Sequence, residues 1–133
     1  MRLEIYSAKC TGCRICQIFC SYKHEDAIWI DMARITIRSE SDDGPFEPNH
    51  CRQCDDAPCA ASCPVDAIAQ DPVTGAWIVD VEECTACGSC VDACPYDAIF
   101  VDEDRGFAIK CDLCGGQPEC VEMCPTAAIV LVE

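Results

Sequence analysis

Residues Cys84-Thr85-Ala86-Cys87-Gly88-Ser89-Cys90-Val91-Asp92-Ala93-Cys94-Pro95 decide how this chain is read. The spacing C-x2-C-x2-C-x3-C-P is a ligation pattern for 4Fe-4S clusters, in which three close thiolates grip one cluster and the fourth reaches a neighbouring one. One such run therefore implies a second. Two-residue gaps let a tight loop aim three sulfurs at three corners of a cubane. The x3 gap starts a helical turn that carries the fourth sulfur away. Small residues fill the gaps, Thr85, Ala86, Gly88 and Ser89, so backbone N–H groups can approach the cluster sulfides. Pro95 closes the run with a fixed φ and no N–H.

Working outward, three more groups appear. Cys10, Cys13, Cys16 and Cys20 repeat the spacing, with Ser21 where proline would stand. Cys51, Cys54, Cys59 and Cys63 are followed by Pro64, with the middle gap widened by Asp55-Asp56-Ala57-Pro58. Cys111, Cys114, Cys120 and Cys124 are followed by Pro125, with the middle gap widened by Gly115 to Glu119. An internal repeat follows three of the groups: Cys63-Pro64-Val65-Asp66-Ala67-Ile68, Cys94-Pro95-Tyr96-Asp97-Ala98-Ile99 and Cys124-Pro125-Thr126-Ala127-Ala128-Ile129. Each predicts a single helical turn whose isoleucine packs over a cluster. Leu3 to Tyr6, Trp29 to Ile30, Ile35 to Arg38, Trp77 to Val81, Phe107 to Ile109 and Ile129 to Val132 pattern as strands. Asp71 to Gly75 and Glu103 to Gly106 pattern as hairpin turns, and Ser39 to Pro48, with two prolines, as a loop.

Composition narrows the function class. The chain has 133 residues, of which 16 are cysteine, and a formal net charge of −15. That charge argues against nucleic acid and anionic membranes, which are met with basic patches. Residues 1–9 carry neither an apolar core nor paired arginines, so no export signal is expected. No apolar run approaches the roughly 20 residues of a membrane span. The expectation is a soluble, cytoplasmic protein.

Three chemistries compete for the cysteines. A disulfide scaffold needs an oxidising compartment, which the absence of an export signal opposes. Zinc sites use paired C-x2-C groups, and Cys111 with Cys114 taken alone would serve; zinc needs neither a third cysteine at the next x2 step nor a proline after the fourth. Iron–sulfur ligation accounts for all sixteen. Four groups of four saturate four 4Fe-4S clusters with no iron left open to substrate, so the expected role is electron transfer, not catalysis. His24 and His50 both lie near cysteines, but the cysteines already fill every ligand position, so each is read as a surface or supporting imidazole.

Which cysteines share a cluster follows from the exchange of the fourth ligand, together with chain order. The second and third groups are joined by a hairpin connection of the two-cluster type and are paired: Cys51, Cys54, Cys59 with Cys94, and Cys63 with Cys84, Cys87, Cys90. The first and fourth pair by elimination: Cys10, Cys13, Cys16 with Cys124, and Cys20 with Cys111, Cys114, Cys120. Pairing of the third group with the fourth stays open as the alternative. The expected architecture is α+β, with two fused bacterial dicluster ferredoxin-like modules forming a single unit over residues 1–133. Module A is 1–50 plus 106–133 and module B is 51–105.

Four groups in this order, with Gln53-Cys54-Asp55-Asp56-Ala57-Pro58-Cys59 and Lys110-Cys111-Asp112-Leu113-Cys114, resemble the four-cluster iron–sulfur subunit of the dimethyl sulfoxide reductase family. The opening Lys9-Cys10-Thr11-Gly12-Cys13-Arg14 and the short length are most similar to small subunits of tungsten aldehyde oxidoreductase and benzoyl-CoA reductase type complexes. The resemblance implies an electron-transfer subunit that relays low-potential electrons between a larger molybdenum or tungsten pterin oxidoreductase and a flavin or ferredoxin partner or a further subunit. A freely diffusing polyferredoxin and an iron–sulfur redox sensor are the alternatives; a sensor needs an effector domain, for which no residues remain. Acidic residues such as Asp42, Asp43, Asp102, Glu103 and Asp104 are either solvated or face a basic patch on a partner.

Overall fold

The two ends of the chain meet. Strand β1 (Arg2–Ile5) pairs antiparallel with β8 (Ile129–Val132), Leu3 opposite Leu131 and Ile5 opposite Ile129. The computed structural model describes residues 1–133 and has an α+β fold: eight short strands in four two-stranded antiparallel ribbons, with four helices between them. The other ribbons are β2 (Thr36–Ser39) with β3 (Phe46–Asn49), β4 (Ile68–Gln70) with β5 (Trp77–Val79), and β6 (Phe100–Asp102) with β7 (Phe107–Ile109). The helices are α1 (Ile15–Glu25), α2 (Pro58–Ser62), α3 (Ser89–Ala93) and α4 (Glu119–Met123). Helix α1 packs on α4, and α2 on α3.

Helix α1 is more than twice as long as the other three, and Ser21 is the reason. A proline after the fourth cysteine lacks the N–H a helix needs, which stops α2, α3 and α4. Ser21 keeps its N–H, so α1 continues to Glu25 before Asp26, in the left-handed conformation at φ 55°, closes it. Cys16, Gln17, Cys20 and Ser21 form its buried face, at the i, i+4 spacing that stacks side chains along one side. Ser21 Oγ, fully buried, donates to the Ile18 carbonyl at 2.8 Å and accepts from the Trp29 N–H at 3.1 Å. The helix thus anchors the segment that follows it.

Three local expectations are corrected. Trp29 to Ile30 is not a strand. The Trp29 N–H is taken by Ser21 Oγ and its carbonyl by the Met32 N–H, so the backbone closes a 3-10 turn over Ile30–Met32. Ser39 to Pro48 is not wholly loop, because Phe46–Asn49 forms β3 with Pro48 opposite Ile37. A two-stranded ribbon leaves one edge of each strand free, where proline's missing N–H costs no ladder bond. Finally, the Cys-Pro repeats are turns, with the helical turn before the cysteine and not after it. Asp66, Asp97 and Ala127 adopt φ of 52°, 53° and 55°, which breaks any helix and redirects the chain so that Ile68, Ile99 and Ile129 are buried.

Two packed interiors result. One gathers Leu3, Cys16, Cys20, Ala33, Ile35, Ile37, Leu113, Cys120 and Ile129; the other gathers Ala57, Cys59, Ile68, Cys90, Ile99 and Ala108. Each buried leucine or isoleucine contributes about 1.5–3 kcal/mol. Only 29 of 133 residues are buried, and six of those are cysteines, so the thiols themselves form a large part of what is packed. No helix is long and apolar enough to cross a membrane.

Candidate metal centres

The backbone is bent to the same shape at every cysteine group. In each first C-x2-C turn the residue just before the second cysteine is left-handed: Gly12 at φ 73°, Gln53 at 49°, Ala86 at 59° and Leu113 at 57°. Only Gly12 is free of the Cβ penalty, which is roughly 1–2 kcal/mol for the others. Strain of this kind persists where the surroundings fix the conformation, and it gathers at functional sites. At Gly12 an added Cβ would fall 2.6 Å from the Phe46 ring, so close packing as well as φ demands glycine there. A second left-handed residue, Arg14, Ala57 or Gly88, caps the helix carrying the third cysteine in the first three groups.

These bends aim N–H groups at sulfur. Ala67, Ala98 and Ala128 donate to Cys63, Cys94 and Cys124 at 3.2, 3.5 and 3.3 Å, one bond for each Cys-Pro repeat. Cys20 has no such repeat, and there the Arg34 N–H arrives from the following segment at 3.2 Å. Gln53, Leu113 and Ala108 donate to Cys51, Cys111 and Cys84 at 3.4, 3.4 and 3.3 Å. N–H donors favour the thiolate over the thiol.

All sixteen cysteines are free of disulfides, and they gather in fours. Cys10, Cys13, Cys16 and Cys124 ring one hollow closed by Ile37, Pro48 and Ile129. Cys51, Cys54, Cys59 and Cys94 ring another with Trp77, Tyr96 and Ile99. Cys63, Cys84, Cys87 and Cys90 ring a third with Ile68, Val79 and Ala108. In the fourth set, Cys120 feels the charges of Cys111, Cys20 and Cys114. Burial pushes the Cys16 and Cys111 thiols up to about 12 and Cys114 to about 11, and raises Cys120 as well. At Cys124 burial acts the same way, but the N–H groups of Thr126 and Ala128 outweigh it and hold the thiol below its usual range. Bare thiolates would repel one another in such places; a cationic iron core is what four converging, N–H-supported sulfurs accommodate. The donor set and its apolar lining fit 4Fe-4S clusters.

The two histidines, indistinguishable in sequence, carry opposite states. His24 Nδ1 lies 2.8 Å from the Cys20 carbonyl and 3.8 Å from Cys20 Sγ, while Nε2 lies 2.8 Å from Asp112 Oδ1. Both nitrogens face acceptors, the pattern of an imidazolium. Burial opposes that charge, but Asp112 and Cys20 prevail and raise the pKa to about 10. Cys114 also lies within 4.8 Å of this pair. His50 is buried, and its Nε2 donates to the Leu3 carbonyl at 3.2 Å while Nδ1 accepts from Arg52 at 2.8 Å. Burial and the Arg52 charge push it down to about 4, so it is neutral. Arg52 in turn lies over the Tyr96 ring, 4.9 Å from its centroid. Sequence reasoning assigned neither Arg52 nor Lys110 a place beside the sulfurs, although Lys110 precedes Cys111 directly and both line the Cys51 hollow.

Comparison with known proteins accords with this geometry. Residues 43–133 match the family described as 4Fe-4S dicluster domain, and residues 7–23 match a 4Fe-4S binding domain. The polyferredoxin-like subunit of an aliphatic sulfonate oxidoreductase from Pyrococcus furiosus is 44% identical over 90% of this chain and 68% of its own length. The electron transport protein HydN of Escherichia coli is 35% identical over 96% of this chain and 85% of its own. Among solved structures, a chain of the active site complex BamBC of benzoyl-coenzyme A reductase, in complex with zinc, superposes with a TM-score of 0.53. It is 26% identical, covering 98% of this chain and 79% of that one. The chain belongs to the 4Fe-4S dicluster domain family.

Proposed function

We propose that this protein is a non-catalytic electron-transfer subunit whose sixteen cysteines hold four 4Fe-4S clusters in a line. The ligand sets are Cys10, Cys13, Cys16, Cys124; Cys20, Cys111, Cys114, Cys120; Cys51, Cys54, Cys59, Cys94; and Cys63, Cys84, Cys87, Cys90. Bound in this way, a cluster supplies reversible one-electron storage. The observation that carries the reading is the order of the quartets. Cys16 of the first and Cys120 of the second pack in one interior, Cys59 of the third and Cys90 of the fourth pack in the other, and Gln53, beside Cys54 of the third, donates to the Cys111 carbonyl of the second at 3.0 Å. The two most exposed cysteines, Cys13 and Cys87, fall in the first and last quartets. Exposed sulfurs in two different quartets, with the middle quartets less exposed, suit relay between partners.

The division into 1–50 plus 106–133 and 51–105 is supported by most residues of the two interiors, although Ala76 of the second module packs in the first interior and the β6–β7 hairpin reaches into the second. Ala108 of that hairpin packs with the second interior and donates to Cys84. The strongly negative chain disfavours added electrons, which supports low potentials.

For the partner, the reading is a larger molybdenum or tungsten pterin oxidoreductase of the aldehyde oxidoreductase type, with a flavin or ferredoxin protein at the other end. The resemblance to the dimethyl sulfoxide reductase iron–sulfur subunits supports it, as does a relative named as a subunit of an aliphatic sulfonate oxidoreductase. Affinity purification under anaerobic conditions, with tungsten, molybdenum and iron analysis, tests it. A larger chain carrying tungsten or molybdenum is the expected companion. A monomer that purifies alone with its iron would replace the subunit reading with that of a diffusing polyferredoxin.

A further inference from the structure

Lys110 is the only lysine or arginine among the buried residues, 5% exposed, and it has no carboxylate partner. None of the five ion pairs of the protein includes it. Its Nζ donates instead to two backbone carbonyls, those of Trp77 and Cys111, the latter at 3.1 Å. A buried ammonium held only by neutral dipoles is costly unless negative charge lies nearby. Asp71 and Asp112 line a cleft with it without pairing to it, and sulfurs line the hollow on its other side. Lys110 lines the hollow ringed by Cys51, Cys54, Cys59 and Cys94, and its own carbonyl leads directly into Cys111 of the adjoining quartet. Its charge acts against burial at both Cys59 and Cys111, drawing each thiol toward ionisation.

We propose that Lys110 is a positioning residue for electrons: its ammonium, fixed between the second and third quartets, sets the reduction potentials of the two middle clusters above those they would otherwise have. This rests on the four-cluster reading given above. Each reduction adds one electron to one cluster and makes and breaks no bond; the added charge is drawn to the cation. The two carbonyls hold Nζ where a flexible lysine would otherwise swing to solvent. The middle of the chain therefore accepts electrons more readily than it would with a neutral side chain at residue 110.

The test is a mediated redox titration, followed by electron paramagnetic resonance, on the wild-type protein and on Lys110→Met and Lys110→Arg. In Lys110→Met two of the four clusters become harder to reduce by about tenfold, close to 59 mV for a one-electron couple, and the other two move much less. Lys110→Arg restores the shifted pair, which a purely structural role would not require. Unchanged potentials in Lys110→Met, or Arg behaving as Met does, overturn the proposal. Should Lys110→Met fail to hold its clusters, wild-type protein labelled with 15N at lysine Nζ decides. A 15N coupling on the reduced middle clusters supports the placement, and its absence overturns it. Wild-type protein lacking iron would remove the cluster reading itself, and this shows in metal analysis before any titration begins.

Discussion

The side-chain amide of Gln53 and the ammonium of Lys110 converge on one acceptor, the carbonyl oxygen of Cys111, at 3.0 and 3.1 Å. Both also hold Trp77, Gln53 accepting from its N–H at 2.8 Å and Lys110 donating to its carbonyl. A turn of the second cysteine group, the start of β5 and the fourth group are thereby locked at one point. Gln53→Leu removes two of these bonds and leaves the Trp77 N–H without a partner. The loss expected is about 1–3 kcal/mol, measured by denaturant unfolding of the cluster-loaded protein without oxygen. A change within a few tenths of that of the wild type would mean the knot is decorative.

A second join ties α1 to the β6–β7 hairpin. The Glu25 carboxylate, its side chain 6% exposed, accepts from Arg34 at 2.9 Å and from Arg105 at 2.7 and 3.0 Å, and Arg105 also donates to Asp102. Arg105 and then Arg34 hold the Glu25 pKa below the usual carboxylate range, against burial. A folded pKa lower than the unfolded one adds stability that is complete above the unfolded value and is lost as pH falls through the folded one. Glu25→Gln should cost about 2 kcal/mol at neutral pH. That difference should shrink as the solution is acidified below the ordinary carboxylate pKa; a gap constant with pH would show that charge is not the cause.

Ser21 offers a test of why one group departs from the others. Ser21→Pro recreates the Cys-Pro sequence of the remaining three groups, yet here it falls inside α1. It removes a helical N–H and both bonds of the Oγ to Ile18 and Trp29, a penalty of about 3 kcal/mol or more. The quartet containing Cys20 should assemble poorly, read as iron lost per chain. Full iron content with an unchanged melting temperature would contradict the role given to Ser21.

Ligand exchange between groups is tested at Cys94. Cys94→Ser should damage the cluster assigned to Cys51, Cys54 and Cys59, the residues with which it rings a hollow, and spare the one at Cys84. Spectroscopic loss confined to the Cys84 quartet would reverse the assignment.

The α+β architecture and the β4–β5 and β6–β7 hairpins were legible from cysteine spacing, turn residues and alternating apolar residues, because these signals are local. What escaped is non-local or backbone-driven. Left-handed turns at Gln53 and Leu113 are invisible where a bulky residue stands in place of glycine, since the strain is imposed by the surrounding sulfur geometry and not by propensity. Trp29 patterns as a strand until Ser21, eight positions earlier, takes its N–H. Pro48 reads as a loop residue although a free ribbon edge tolerates it. His24 and His50 differ only through partners supplied from distant parts of the chain, Asp112 for one and Leu3 for the other. The modest interior also bears on folding. With thiols making up much of what is packed, metal binding supplies folding free energy, so chelation or air should abolish a cooperative melt.

Iron and acid-labile sulfide assayed on the anaerobically purified chain test the central claim most directly. The account predicts about sixteen of each per polypeptide, four to every quartet. About eight of each, or zinc in place of iron, would contradict it.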